Sequence, residues 1–332
     1  EDLAQYRAIV REPLVGRYRG LELAAAPPPV TAGASLVQML QILDHRPVTE
    51  AAHFRRNAGT FHYMVEAWKG VSRERLVADP FLWEIDLTEV LSREWAQARF
   101  LAIDPDRAST GPEVPEDPSE LEKYRRERIS TGTTAAVVAD TDGNLVALTQ
   151  TLSTWGGAFY VPEGLGFLYN NHLRLFGGAP KGTVGSLTPL ARAATGICPT
   201  LVFRIEEGER VPYIAVAAAG NAWITASVFE ILTGIVDFGL GPQEAIEAPR
   251  FLLQPKRFPL DRPPLPARIW YEQGIRGSVV SEMRARGHEL SPMGGKGELV
   301  MGYAAVAVLD REKGEARAGA DPRRSHHAAG LP

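Results

Sequence analysis

The sequence predicts an α+β protein: layers of helix and antiparallel strand stacked around one core. Three observations predict it. The first hundred or so residues repeat apolar side chains mainly at helical spacing. From Thr131 onward, short β-prone runs alternate with glycine-bearing turns. Then Ala218-Ala219-Gly220-Asn221 joins a strand to a strongly periodic helix.

Taken in order, Asp2 to Val10 suggests a short helix ended by Pro13, and Arg17 to Ala24 alternates charged and apolar residues as a strand does. After Pro27-Pro28-Pro29, a helix is expected from about Gly33 to Leu43, with Leu36, Leu40 and Leu43 on one face. A second helix is expected from Thr49, its N-cap, to Lys69, and a third from Leu87 to Leu101. Asp104 to Ser130 is rich in proline and charge and reads as a loop. Ala135 to Ala139 and Leu145 to Leu148 flank Thr141-Asp142-Gly143-Asn144, a hairpin signal because glycine accepts a positive φ. Phe159 to Val161 and Gly166 to Tyr169 read as short strands, and Lys181 to Ala194 as loop. Thr200 to Ile205 and Tyr213 to Ala217 form a second hairpin, followed by a helix to about Phe238 with Ile224, Val228, Ile231 and Ile235 in register. A short helix (Gly241 to Ala248), a strand (Arg250 to Gln254), a proline-rich surface loop (Pro255 to Pro266), a strand (Ile269 to Glu272), a helix (Ser278 to Arg286) and a strand (Leu299 to Leu309) complete the chain.

The 332 residues are 45% hydrophobic and 23% charged, ordinary for a globular protein. A net charge of −4 with no basic stripe argues against nucleic acid as a partner. No apolar run approaches a membrane span. The one cysteine, Cys198, excludes an internal disulfide and reads as a small buried side chain. His53 and His62 lie nine residues apart, not the three or four of a helical metal pair, so no metal and no cofactor is expected. The start on Glu1, within helix-like sequence, suggests a processed or truncated N-terminus, and the compartment is left open.

Chemistry concentrates at the central hairpin. Thr133 sits just before its first strand and Thr151 ends its second, so antiparallel pairing allows their hydroxyls to be neighbours. A threonine with a free α-amine carries nucleophile and base on one residue. Exposing that amine requires cleavage at Gly132–Thr133, and Gly132 tolerates the strained carbonyl such attack needs. A threonine-rich strand edge with no chemical role is the alternative. The Gly220-Asn221 turn points backbone N–H groups at a helix N-terminus, as an oxyanion hole does; a tight packing turn is its alternative.

Thr133-Thr134 with Val137-Val138-Ala139-Asp140 and Asp142-Gly143-Asn144 resembles the nucleophile segment of the gamma-glutamyltransferase family. Tyr169-Asn170-Asn171, Cys198-Pro199-Thr200, Asp237-Phe238-Gly239-Leu240, Ala248-Pro249-Arg250-Phe251 and Ala320-Asp321-Pro322-Arg323 resemble further family motifs, in the family's order. The resemblance implies the N-terminal-nucleophile hydrolase fold, an αββα sandwich of two antiparallel sheets between helical layers. It implies that residues 1–132 correspond to the end of the family's large subunit, with its processing loop, and 133–332 to the small, catalytic one. Thr133 matches the nucleophile, Thr151 the hydroxyl that bonds it, and Gly220 the first oxyanion-hole glycine; the second is Asn221 here. The substrate-gripping positions depart. The family's Asn is Ser153, its Gln is His172, its Asp falls at Leu175 beside Arg174, and its Ser-Ser pair is Thr195-Gly196. The resemblance also implies an upstream segment that this chain lacks, to be supplied by a longer chain or a second one, and it allows a homo-oligomer. The expected protein is thus a self-processing amide hydrolase or acyltransferase acting on a small-molecule amide other than a standard γ-glutamyl compound; a non-catalytic scaffold or fragment is the alternative.

Overall fold

The computed structural model describes residues 5–48, 52–72, 79–80, 82–109, 132–176, 180–254, 268–293, 302–311 and 313–330. Its centre is a six-stranded sheet. Strands β1 (Leu14–Tyr18) and β2 (Leu21–Ala25) form a hairpin that pairs through β2 with β5 (Thr200–Glu206). The sheet continues through β6 (Glu209–Ala219), β10 (Tyr303–Asp310) and β11 (Glu315–Ala320), antiparallel at every step. Segments from both halves of the chain therefore share one sheet.

Alternation along β6 assigns its two faces. Ile214, Val216 and Ala218 point into the main core, against helices α1 (Thr31–Asp44), α2 (Ala58–Lys69) and α4 (Trp223–Phe238). Ala217 and Ala219 point the other way, where they meet Ala135 and Tyr303. That opposite face is covered by a two-stranded sheet, β3 (Thr133–Ala139) with β4 (Leu145–Thr151). Around the helical side lie α3 (Arg93–Leu101), α5 (Pro242–Glu247), α6 (Gly277–Ala285) and a three-stranded sheet of β7 (Phe251–Gln254), β8 (Arg268–Glu272) and β9 (Leu290–Met293). Three layers of the expected sandwich, helix, sheet and sheet, are present among the described residues. The outward side chains of β3–β4 (Ala136, Val138, Val146, Leu148) are exposed. No described helix is long and apolar enough to cross a membrane.

Several sequence expectations need correction. The single strand expected over Arg17 to Ala24 is a hairpin, turned at Arg19-Gly20 with φ of 52° and 76°. Two consecutive positive φ values give the tight turn that matches strand twist. Residues 6–10 are irregular, not helical; the start of that proposed helix lies outside the described residues. Helix α2 begins at Ala58, because Asn57 Oδ1 accepts the Thr60 N–H at 2.8 Å and caps it; Thr49 lies outside the described residues. Phe54 reaches the core from a turn rather than a helical face. Helix α3 begins six residues later than expected, capped by Ser92 Oγ on the Trp95 N–H at 3.1 Å. Residues 159–161 and 166–169 flank a turn over residues 163–165 and share backbone bonds (Ala158 N–H to the Tyr169 carbonyl at 2.8 Å, Tyr169 N–H to the Tyr160 carbonyl at 3.0 Å), but positive φ at Phe159, Gly164 and Gly166 keeps them from becoming regular strands. Strands β9 and β11 were not expected; Glu-Ala-Arg-Ala-Gly-Ala is a poor strand sequence, held by its ladder with β10. Most of the expected 104–130 loop, and all of Pro255 to Pro266, lie outside the described residues.

Candidate active site

The hairpin register pairs Thr133 with Thr151. Leu152 N–H donates to the Gly132 carbonyl at 2.9 Å, and Asp140 N–H to the Asn144 carbonyl at 3.1 Å. Even-numbered β3 residues are thus the hydrogen-bonded pairs, and Thr133 with Thr151 is a non-hydrogen-bonded pair, whose side chains sit closer. Their hydroxyls are 2.9 Å apart, on the face turned to the six-stranded sheet. Thr133 is buried. Thr151 Oγ1 also accepts the Ser153 N–H at 2.9 Å, which fixes its rotamer.

Gly132 is tightly seated. A Cβ there would lie 2.1 Å from the Thr154 carbonyl oxygen, so no other residue fits without moving backbone. Thr154 is itself held by Asn171, whose Nδ2 donates to Thr154 Oγ1 at 2.7 Å and whose Oδ1 accepts the Thr154 N–H at 3.2 Å.

Ser153, bonded to Thr151, links this pair to Arg174. Arg174 Nε donates to Ser153 Oγ at 3.0 Å. His172 opens a short 3-10 turn through Leu175, and its N–H bonds Asn170 Oδ1 at 2.9 Å. Burial, then the Arg174 charge, lower the His172 pKa, so its imidazole is neutral near pH 7. Of the two, Arg174 therefore carries the positive charge.

Gly220 lies one residue beyond Ala219, which pairs with Tyr303. At φ 118°, Gly220 presses on Gly302; a Cβ would come 2.3 Å from the Gly302 Cα. Asn221 takes φ 59°, a left-handed conformation that asparagine tolerates. The Gly302 carbonyl accepts from the buried Arg250 guanidinium at 2.7 Å. Arg250 in turn pairs with Asp321 at 2.6 Å, and Arg323 pairs with Glu272 and Asp321. Thr195 is placed differently. Its carbonyl accepts the Thr31 N–H at 2.9 Å and its N–H donates to the Pro29 carbonyl at 3.1 Å, tying it to the start of α1, while the neighbouring Gly196 is exposed.

Sequence reasoning missed Tyr303. Its hydroxyl donates to the Thr133 carbonyl, a bond between residues 170 positions apart that no local pattern announces.

The histidines behave as two separate residues. His62 meets not His53 but His288, Nδ1 to Nε2 at 2.7 Å. His62, Glu66 and His288 offer ligand atoms within 4.8 Å of one another and could in principle hold a metal ion. The two imidazoles share a proton and Lys69 Nζ sits on Glu66 at 2.8 Å, which occupies one atom of each residue, while His288 Nδ1 is buried without a hydrogen-bond partner. Cys198 is buried, and burial pushes its thiol up to about 12.

Comparison with known proteins gives the geometry a family. The glutathione hydrolase proenzyme of Escherichia coli (strain K12) is 27% identical over 332 residues, 97% of this chain and 53% of that protein. The acylase ACY 1 proenzyme of Pseudomonas sp. (strain SE83) is 29% identical over 297 residues, 87% of this chain and 47% of that protein. The crystal structure of cephalosporin acylase from Bacillus halodurans matches 99% of this chain and 55% of its own, with a TM-score of 0.78 at 23% identity, and shares the fold. This chain spans about half the length of the curated relatives it matches. The profile of the Gamma-glutamyltranspeptidase family matches residues 1–331, and the chain belongs to that family.

Proposed function

We propose that this chain is the catalytic part of a self-processing amide hydrolase or acyltransferase with Thr133 as nucleophile. The observation that carries the reading is the 2.9 Å contact between the Thr133 and Thr151 hydroxyls, directly after a glycine that admits no side chain. Thr133 Oγ1 attacks the Gly132 carbonyl carbon, the peptide C–N bond breaks, and water hydrolyses the resulting ester to leave a free α-amine on Thr133. In turnover the same hydroxyl attacks a substrate amide while the α-amine takes its proton. The amine leaves protonated, and the acyl group passes to water or an acceptor amine. The N–H groups of Gly220 and Asn221 are the candidate donors to the oxyanion, and Thr151 orients Oγ1. On this reading residues 1–132 are the counterpart of the family's large subunit end and 133–332 of its small subunit. A polypeptide corresponding to the uncovered half of the relatives, on this chain or another, completes the assembly.

The substrate is an amide whose acyl part carries no α-ammonium. Leu175 cannot pair with an ammonium, and Arg174, bonded to Ser153 next to Thr151, favours an anionic acyl end. His172, two residues before Arg174, adds a neutral group to that segment. The test uses the assembled protein. Intact-mass measurement should show cleavage at Gly132–Thr133, and Thr133→Ala should abolish cleavage and turnover. A glutaryl amide should be hydrolysed far faster than the matching γ-glutamyl anilide. Retained turnover in Thr133→Ala sinks the nucleophile; faster turnover of the γ-glutamyl compound sinks the specificity. The half-length coverage favours a second reading, a non-catalytic scaffold, and an uncut wild-type chain would support it.

A further inference from the structure

We propose that Tyr303 is a positioning residue for the Thr133 nucleophile, holding the Thr133 carbonyl on the open edge of β3 beside the place where the freed α-amine will lie. The inference rests on the reading of Thr133 as nucleophile. Its own basis is the strand parity. Even-numbered β3 residues turn their N–H and C=O toward β4, as the Gly132–Leu152 and Asp140–Asn144 bonds show. Thr133, being odd, turns both its N–H and its C=O to the other edge. That edge has no neighbouring strand among the described residues, because the sheet is two-stranded. A buried carbonyl left unpaired there would be costly. The Tyr303 hydroxyl occupies the position of the missing strand's donor.

The phenol is itself firmly placed. Strand β10 sets Tyr303 opposite Ala219, the residue before Gly220, so one side chain links the oxyanion turn to the nucleophile's backbone. The ring packs with Ala135, Ala217 and Ala219. His326 meets it edge-on at 4.4 Å, and Arg324 lies 5.1 Å from its centroid. In an extended residue the nitrogen and carbonyl oxygen face the same edge. After cleavage the Thr133 α-amine therefore shares its edge with the Tyr303 oxygen. The hydroxyl donates its proton to the carbonyl and offers a lone pair to the ammonium form of the amine.

Tyr303→Phe removes one oxygen and keeps the ring. In the assembled protein, cleavage at Gly132–Thr133, followed by intact mass, should slow about tenfold. On the glutaryl amide kcat should fall by a similar factor with KM unchanged, the signature of an interaction that serves the reacting geometry. The acid limb of the kcat/KM profile should move to lower pH, since the ammonium loses an acceptor. The melting temperature should stay within a few degrees of wild type. Wild-type rates and an unmoved pH limb in Tyr303→Phe overturn the proposal, as does a rate loss that merely follows lost thermal stability. A wild-type chain that never cleaves, with Thr133→Ala indistinguishable from it, instead overturns the nucleophile reading and this inference with it.

Discussion

His288 has its imidazole buried between His62 and Glu66, and burial, with the nearby Lys69 charge, pushes its pKa down to about 3. His53 is likewise lowered to about 4 by burial and the Arg55 charge. A histidine whose folded pKa is depressed contributes stability that is present above its unfolded pKa, ~6.5, and lost as pH falls toward the folded value. Glu230 works in the opposite sense. Burial holds its carboxyl well above the usual range, so its contribution is present at acid pH and lost on going up. The comparison that isolates His288 is wild type against His288→Gln, since both retain Glu230. Between pH 7 and pH 5 wild type should lose about 1 kcal/mol per pH unit more than the variant, read from urea midpoints at each pH. Parallel pH curves for the two proteins would refute the assignment. At this scale Thr133 and Thr151 were legible, because hairpin symmetry places the start of one strand beside the end of the other. Tyr303 and the His62–His288 pair were not, because their partners lie 170 and 226 positions away.

Helix α2 shows what an element owes to its ends. The turn over residues 54–56 puts Phe54 into the core before the helix starts, and the chain then needs a cap to begin again. Asn57 supplies it, accepting the Thr60 N–H at 2.8 Å. Asn57→Ala should therefore lower stability by about 1 kcal/mol, measured by urea unfolding, and Asn57→Asp should restore most of it. No loss in the alanine variant would mean the helix is capped otherwise. The sequence suggested Thr49 instead because apolar spacing runs on through Phe54, and periodicity alone does not separate a buried turn from a helical face. The strands expected around Pro162-Glu163-Gly164 failed for the converse reason. Their aromatic residues have strand propensity, and two backbone bonds cross between them at Tyr169, but Gly156, Gly157, Gly164 and Gly166 all sit at positive φ and stop the pairing from extending. The long helix Trp223–Phe238 was legible throughout, since sixteen residues of unbroken apolar period admit no other element.

For the whole molecule, the layers follow from which faces are apolar, and one face is left over. Along β3 and β4 the inner positions are Ala135 and Ala147, and the outer ones include Val138, Val146 and Leu148, at 58%, 52% and 49% exposure. A contiguous apolar sheet face is seldom left to solvent, so a further layer should seat there. On the proposed reading, the occupant is the polypeptide that corresponds to the half of the relatives' length not covered here. Val138→Lys with Leu148→Lys should abolish co-purification with that polypeptide while the melting temperature of this chain alone changes little. Unchanged co-purification would place the interface elsewhere. The sequence signalled layers of helix and strand, but it could not say that, among the described residues, one hairpin would form its own two-stranded sheet, because strand pairing is a long-range choice.

The crowding at Gly132 also bears on direction. Peptide atoms joined at about 1.33 Å must separate to roughly 2.8 Å once the bond between them is cut. Gly132 cannot recoil toward Thr154, whose carbonyl already fills the volume a single methyl would need. The cut end has to withdraw away from Thr154 instead, surrendering the Leu152 N–H it had occupied. Scission here would thus have a preferred direction: the released Gly132 carboxylate would move to the side away from Thr154 and leave the Leu152 N–H without its acceptor.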